Sequence, residues 1–148
     1  MFRGTSPLRR ITSFAIVCIA MYALSNVAKA DEITPELPSP SETTVVADAQ
    51  NQIPVKFHLD PGWSPSEVML TSANGGTTFG KLKPPDLKVT FVAGGAGGSE
   101  VECKLPTGSG TNSLTNCTLT ITAFRLTGDP SNPVETSTRN VTGINVTR

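Results

Sequence analysis

The sequence contains few of the residues that most enzymes use in their active sites. Its 148 residues include one histidine, one tryptophan and three cysteines. His58 stands two residues before Asp60, but a metal site normally needs three or four ligands, and there is no second histidine. No serine stands at a strand–turn–helix elbow, so nothing indicates a Ser-His-Asp hydrolase. We therefore expect His58 to be a solvated residue on a strand, and we expect no enzymatic activity, no metal and no cofactor.

The N-terminal 30 residues have the three parts of a secretory signal peptide. The first ten residues carry three arginines and no acid, and the apolar run Phe14–Leu24 is 11 residues long. The run is too short to span a bilayer, which makes the alternative of a membrane anchor the weaker interpretation. Ala28–Ala30 reads as a small-residue cleavage site, so we expect cleavage before Asp31. An exported chain of 118 residues would remain, enough for one domain.

The exported chain lacks basic runs and helical repeats. The signal segment holds four of the 12 Lys and Arg residues and none of the 12 Asp and Glu residues, so the remainder has a net charge of −4. We therefore expect no nucleic-acid partner and no membrane span in the mature chain. No segment of it repeats apolar residues at helical spacing over three turns.

Short segments of strand type alternate with turn signals along the exported chain. Residues 31–52 form an acidic arm rich in Pro, Ser and Thr, and we expect its residues 31–44 to be disordered, with a weak strand at Val45 and Val46. The strand-like segments are residues 53–60, 67–72, 87–93, 99–106, 117–126 and 140–146. Within the last, Gly143 suggests a β-bulge. The pattern predicts an all-β, immunoglobulin-like β-sandwich of six to seven short strands over residues 53–148.

Two cysteines remain after loss of Cys18 with the signal peptide. Cys103 and Cys117 fall on the inward-facing sets of two successive strands and bracket a polar loop of 13 residues. An even pair in an exported chain favours a structural disulfide, which would staple a hairpin and contribute about 3 kcal/mol. The alternative is that each cysteine pairs with another chain.

Two further features have a structural and a functional interpretation. Trp63 follows directly after a turn, and we expect it to cover one end of the core rather than to form a binding contact. The glycine-rich residues 93–100 follow a strand, but a phosphate-binding loop requires a helix directly after it. The residues that follow alternate like a strand, so a mobile β-turn is the expected structure.

The nine residues IPVKFHLDP, 53–61, alternate without a fault and close with Asp60 and Pro61. They resemble the first strand of mature pilins of the alpha class of chaperone–usher fimbriae. The resemblance implies a non-enzymatic subunit of a bacterial surface fibre, exported through the periplasm to the cell surface. It implies as partners other copies or other fibre subunits, a periplasmic chaperone and an outer-membrane usher. In that family the strand is donated to a neighbouring subunit, which makes Ile53, Val55, Phe57 and Leu59 the candidate donor residues.

These observations leave two hypotheses of different classes. The first is a structural or adhesive fibre subunit assembled by donor-strand exchange. The second is a self-contained secreted or periplasmic immunoglobulin-like binding module. They differ in whether the strand at 53–59 pairs within its own chain. Pro54 bears on this question, because it cannot donate to a ladder and suits the start of a strand or an edge.

Overall fold

The computed structural model describes residues 32–36, 43–93 and 97–148, and the predicted signal peptide, residues 1–30, lies outside them. The described residues form strands and contain no helix, so the predicted all-β fold class is confirmed. The strands are β1 (Ile33–Glu36), β2 (Thr44–Val46), β3 (Gln52–Leu59), β4 (Ser64–Thr71), β5 (Thr78–Leu82), β6 (Lys88–Phe91), β7 (Ser99–Pro106), β8 (Leu114–Leu126) and β9 (Val134–Thr147). None of these residues belongs to a helix with the length and hydropathy that a membrane span requires.

The first sheet has four antiparallel strands in the order β1-β3-β7-β6. β3 lies in its interior, with β1 on one side and β7 on the other. β1 pairs only with Lys56–Leu59, so Pro54 lies beyond the end of β1 and its missing N–H costs no bond to that strand. β6 is an edge strand, because it pairs with β7 alone.

The second sheet has five strands in the order β2-β9-β8-β4-β5. All of its pairs are antiparallel except β2 with β9. The register of β8 against β9 shifts twice, at Asn116 on β8 and at Gly143 on β9, and both residues have positive φ (55° and 73°). The predicted bulge at Gly143 is therefore confirmed.

The two sheets pack face to face around one apolar core. Alternate residues of β3 and β7 point into it, as the sequence pattern predicts, and so do Leu119 and Ile121 of β8. Trp63 is 5% exposed and belongs to the same cluster, so its predicted place in the core is confirmed. The buried residues of the core are Ile33, Ile53, Val55, Phe57, Leu59, Trp63, Val68, Leu70, Leu87, Val101, Cys103, Leu105, Cys117, Leu119, Ile121, Ala123, Ile144 and Val146.

Part of the N-terminal arm belongs to the sandwich. The expectation that residues 31–44 are disordered is wrong for Ile33–Glu36, since this segment is β1, and Ile33 is 2% exposed. Pairing with β3 supplies backbone hydrogen bonds, and burial of Ile33 offsets the entropy of ordering the strand. The weak strand predicted at Val45 and Val46 is present as β2.

Candidate functional site

The most exposed apolar side chains of the first sheet lie on its edge strand β6. Val89 and Phe91 pair with Val101 and Ser99 of β7, both of which are buried on the inner face of the sheet. Val89 and Phe91 continue that inner face, yet they are 38% and 84% exposed. The second sheet therefore leaves the inner side of β6 uncovered at this edge of the sandwich.

Two grooves lie on either side of Phe91. One has a volume of about 370 Å³ and the other about 380 Å³. Both are bordered by Phe91 and Trp63, and none of the residues that line them carries a charge. The lining residues are Pro61, Gly62, Trp63, Ser64, Pro65, Pro84, Leu87, Val89, Phe91, Val92, Gly98, Ser99 and Phe124. We call this area, Phe91 with the two grooves, the Phe91 surface.

Trp63 is held in place from the side of the second sheet. The guanidinium carbon of Arg125 lies 5.0 Å from the centroid of the Trp63 ring, a cation–π distance. A carboxylate oxygen of Glu135 lies 2.6 Å from Arg125 and fixes the orientation of the guanidinium group. One wall of the Phe91 surface is therefore a buried aromatic ring, whereas Phe91 itself projects into solvent.

The backbone of β6 has hydrogen-bonding groups that β7 does not use. Val92 N–H donates to the carbonyl of Gly98 at 3.0 Å, which marks this as a hydrogen-bonded pair. In an antiparallel ladder such pairs alternate with non-bonded pairs. Thr90 and Lys88 consequently bond to β7, and the N–H and C=O groups of Val89 and Phe91 point to the open edge. Exposed apolar side chains and free backbone groups thus occur on the same two residues.

The outer face of the first sheet is charged, and its charges balance along one row. Glu36, Lys56, Glu102 and Lys88 stand side by side on the four strands in alternating sign. Lys56 Nζ lies 3.2 Å from Glu36 Oε2, and this hydrogen bond raises the pKa of Lys56. A groove of about 580 Å³ is lined by Lys56, Glu102 and Lys88 of this row, by other residues of β3 and β7, and by Leu82 and Asp86. Because neighbouring charges of opposite sign stabilise a sheet by cross-strand pairing, this row has a structural explanation.

His58 is less solvated than the sequence suggested. Its side chain is partly buried, and its Nδ1 lies 3.0 Å from Oε1 of Glu100 on the neighbouring strand. The ring also packs on Gly98, where an added Cβ would lie 3.0 Å from Nε2. No group of three or more His, Cys, Asp or Glu that could hold a metal ion occurs among residues 32–36, 43–93 and 97–148.

The glycine-rich segment 93–100 leads directly into a strand, as the sequence predicted. Residues 94–96 lie outside the described residues, and β7 begins at Ser99. Gly97 and Gly98 have φ values of 67° and 87°, which a glycine adopts without strain. No helix follows that could bind a phosphate.

The prediction of a Cys103–Cys117 disulfide is wrong. Both cysteines are buried and free. The two strands that carry them do not form a hairpin, because β7 lies in the four-stranded sheet and β8 in the five-stranded one. Burial raises the pKa of Cys103 to about 11 and also raises the pKa of Cys117. Both thiols are therefore protonated core residues at neutral pH.

The structure places the candidate donor strand, residues 53–59, within a sheet of its own chain. Ile53, Val55, Phe57 and Leu59 point into the core of their own chain, and β3 has a paired neighbour on each side along Lys56–Leu59. The alternation of apolar and polar residues that suggested a donated strand is also the pattern of a strand in the interior of its own sheet, with one face packed on the core.

No protein-family model matches the chain, and neither a curated protein nor a solved structure does. The sequence predicted a strand over residues 87–93 but not that Phe91 would be uncovered. A signal for it was present: the glycine-rich segment after Phe91 favours a position at the margin of a sheet.

Proposed function

We propose that this chain is a non-enzymatic, exported binding module that recognises a partner protein through the Phe91 surface. The observation that carries the proposal is an 84% exposed phenylalanine on the inner side of an edge strand, between two uncharged grooves. Contiguous exposed apolar surface of this kind is typical of interaction sites, and aromatic residues are common anchors there.

The position of β3 favours a self-contained module over a donor of that strand. A chain that completes its own sheet with residues 53–59 needs no neighbour to bury Phe57 or Leu59, which are both 0% exposed. The signal-peptide pattern of residues 1–30 supports export through the periplasm to the cell surface or the medium.

The strand order supports an immunoglobulin-like sandwich. If β1 and β3 to β9 are lettered A, B, C, C′, D, E, F and G, the first sheet has the order A-B-E-D. The second sheet then has the order G-F-C-C′, with β2 beside G. These are the orders by which immunoglobulin domains are described. Such sandwiches serve very different functions, so the function is argued from the Phe91 surface and not from the topology.

A fibre subunit remains a second candidate, because the open edge of β6 could receive a segment of another copy. The donated segment would then be one other than 53–59, and a periplasmic chaperone and an outer-membrane usher would be further partners. Size-exclusion chromatography of the exported chain discriminates the two. A monomer is expected for the binding module, and concentration-dependent ladders for the fibre subunit.

The experiment that tests the proposal compares two exposed apolar residues. Phe91→Ser removes the anchor, whereas Leu126→Ser changes a side chain that is 76% exposed but lines neither groove. The wild type and both variants are immobilised, and surface and secreted proteins that they retain are identified by mass spectrometry. We expect proteins that are retained by the wild type and Leu126→Ser but lost by Phe91→Ser. Identical retention by all three would contradict the proposal.

A further inference from the structure

The Phe91 surface has two properties that together specify the shape of its partner. The first is a free edge, since the N–H and C=O groups of Val89 and Phe91 point away from β7. The second is a continuous apolar lining beside that edge, from Val89 and Phe91 to Phe124 of the second sheet. A partner with a convex apolar surface would contact the apolar lining, but it would leave the N–H and C=O groups of Val89 and Phe91 without hydrogen-bond partners.

We propose that β6 receives an extended segment of a partner protein as an additional strand of the first sheet. This inference rests on the proposed function and names the kind of partner. The segment pairs through its backbone with Val89 and Phe91, the mode known as β-strand addition. Its side chains on one face fill the two grooves, and those on the other face continue the outer face of the sheet.

The charges of the site specify the side chains of the segment. None of the residues lining the two grooves is charged, and Trp63 and Phe91 border both. A charged side chain there would lose its hydration without gaining a partner, so the inner positions of the segment are apolar. On the outer face the neighbours on β6 are Lys88 and Thr90, so the outer positions are polar or acidic. The segment thus alternates apolar with polar residues.

The test uses a short synthetic peptide that alternates valine and threonine, with capped ends. A second peptide has the same sequence but carries N-methyl groups on its central residues, valines and threonines alike, which removes hydrogen-bond donors from both edges and keeps the apolar side chains. Binding to the exported chain is measured by isothermal titration calorimetry. We expect the first peptide to bind and the methylated peptide to bind more than about tenfold more weakly, because each lost backbone bond costs about two- to tenfold.

A matched pair of protein variants tests the same point from the other side. Val89→Ala and Val89→Pro both remove the valine side chain, but only Val89→Pro removes the N–H that faces the open edge. Proline is tolerated at such edge positions. We expect Val89→Pro to bind the peptide at least about twofold more weakly than Val89→Ala does. Circular dichroism checks that both fold, and if Val89→Pro does not, the methylated peptide still decides the question.

The outcomes separate this inference from the proposed function. Equal binding of the plain and methylated peptides, or no binding of the plain peptide, would overturn strand addition. If Phe91→Ser loses its retained proteins but strand addition fails, the Phe91 surface binds a partner in another way and the proposed function stands. A dimer of the exported chain that Val89→Pro dissociates would identify the added strand as part of a second copy.

Discussion

Replacing Phe57 with alanine measures how much the chain depends on β3 in its own sheet. Phe57 is the largest of the fully buried side chains and is 0% exposed. Phe→Ala changes at such sites cost about 3–5 kcal/mol, from lost transfer free energy and the cavity left behind. A domain of this size has a total stability of about 5–15 kcal/mol. We therefore expect Phe57→Ala to remain folded with Tm lowered by roughly 10–20 °C.

Urea unfolding followed by the fluorescence of Trp63, the single tryptophan, gives the free energy directly. Lys56→Ala is the matched control, because Lys56 directly precedes Phe57 on the strand and points to solvent beside Glu36. Its unfolding midpoint should fall far less than that of Phe57→Ala, because the ion pair of Lys56 with Glu36 lies at the surface. The reasoning is refuted if Phe57→Ala costs less than about 1 kcal/mol. It is also refuted if the loss depends on protein concentration, since that result would mean that the strand is buried in another chain.

Three further perturbations test the arm, the contact of β5 and the thiols. Ile33→Ala should destabilise the domain by about 2–5 kcal/mol, whereas Thr34→Ala on the outer face of β1 should not; equal stability of both would mean that β1 is not part of the sandwich. Gly80→Ala should lower Tm, because the added Cβ would overlap the backbone carbonyl oxygen of Pro106. Burial raises the pKa of Cys103 from 9.0 to about 11, so the folded state holds the thiol proton more tightly. Stability should then fall as pH rises from about 9 to 11, and Cys103→Ala should lose less over that range; an unchanged pH profile would contradict it.

Alternation in the sequence predicted the strands that lie over the core and missed β1, β5 and the first part of β9. β3 and β7 have clean alternation because one face of each is buried along the whole strand. β9 extends from Val134, but Glu135–Arg139 holds no apolar residue, so the first part of this strand carries no periodic signal. β5 lies in a stretch rich in Gly and Pro and is an edge strand with little burial. β5 is a strand because it pairs with β4, and its own sequence carries no strand pattern.

The alternation of residues within one segment does not determine which other strands that segment pairs with. Cys103 and Cys117 were correctly placed on inward faces, but the chain changes sheets between Pro106 and Leu114. Two successive strands form a hairpin if they stay in one sheet, but here the connection crosses from the first sheet to the second. That choice depends on the packing of the whole chain. The exposure of Phe91 depends on the same information. Its inward orientation follows from the alternation with Val89, and its lack of cover follows from the place of β6 at the edge.

Amide hydrogen exchange followed residue by residue by NMR tests the central claim most directly, that the chain closes its own sandwich and keeps one edge of β6 free. The account predicts a monomer in which the amides of Lys56–Leu59 exchange slowly, because both neighbouring strands pair with them. It predicts slow exchange at Thr90 and Val92 and fast exchange at Val89 and Phe91, whose N–H groups point to the open edge. Fast exchange along Lys56–Leu59 in the monomer, or protection of Val89 and Phe91 equal to that of Thr90, would contradict it.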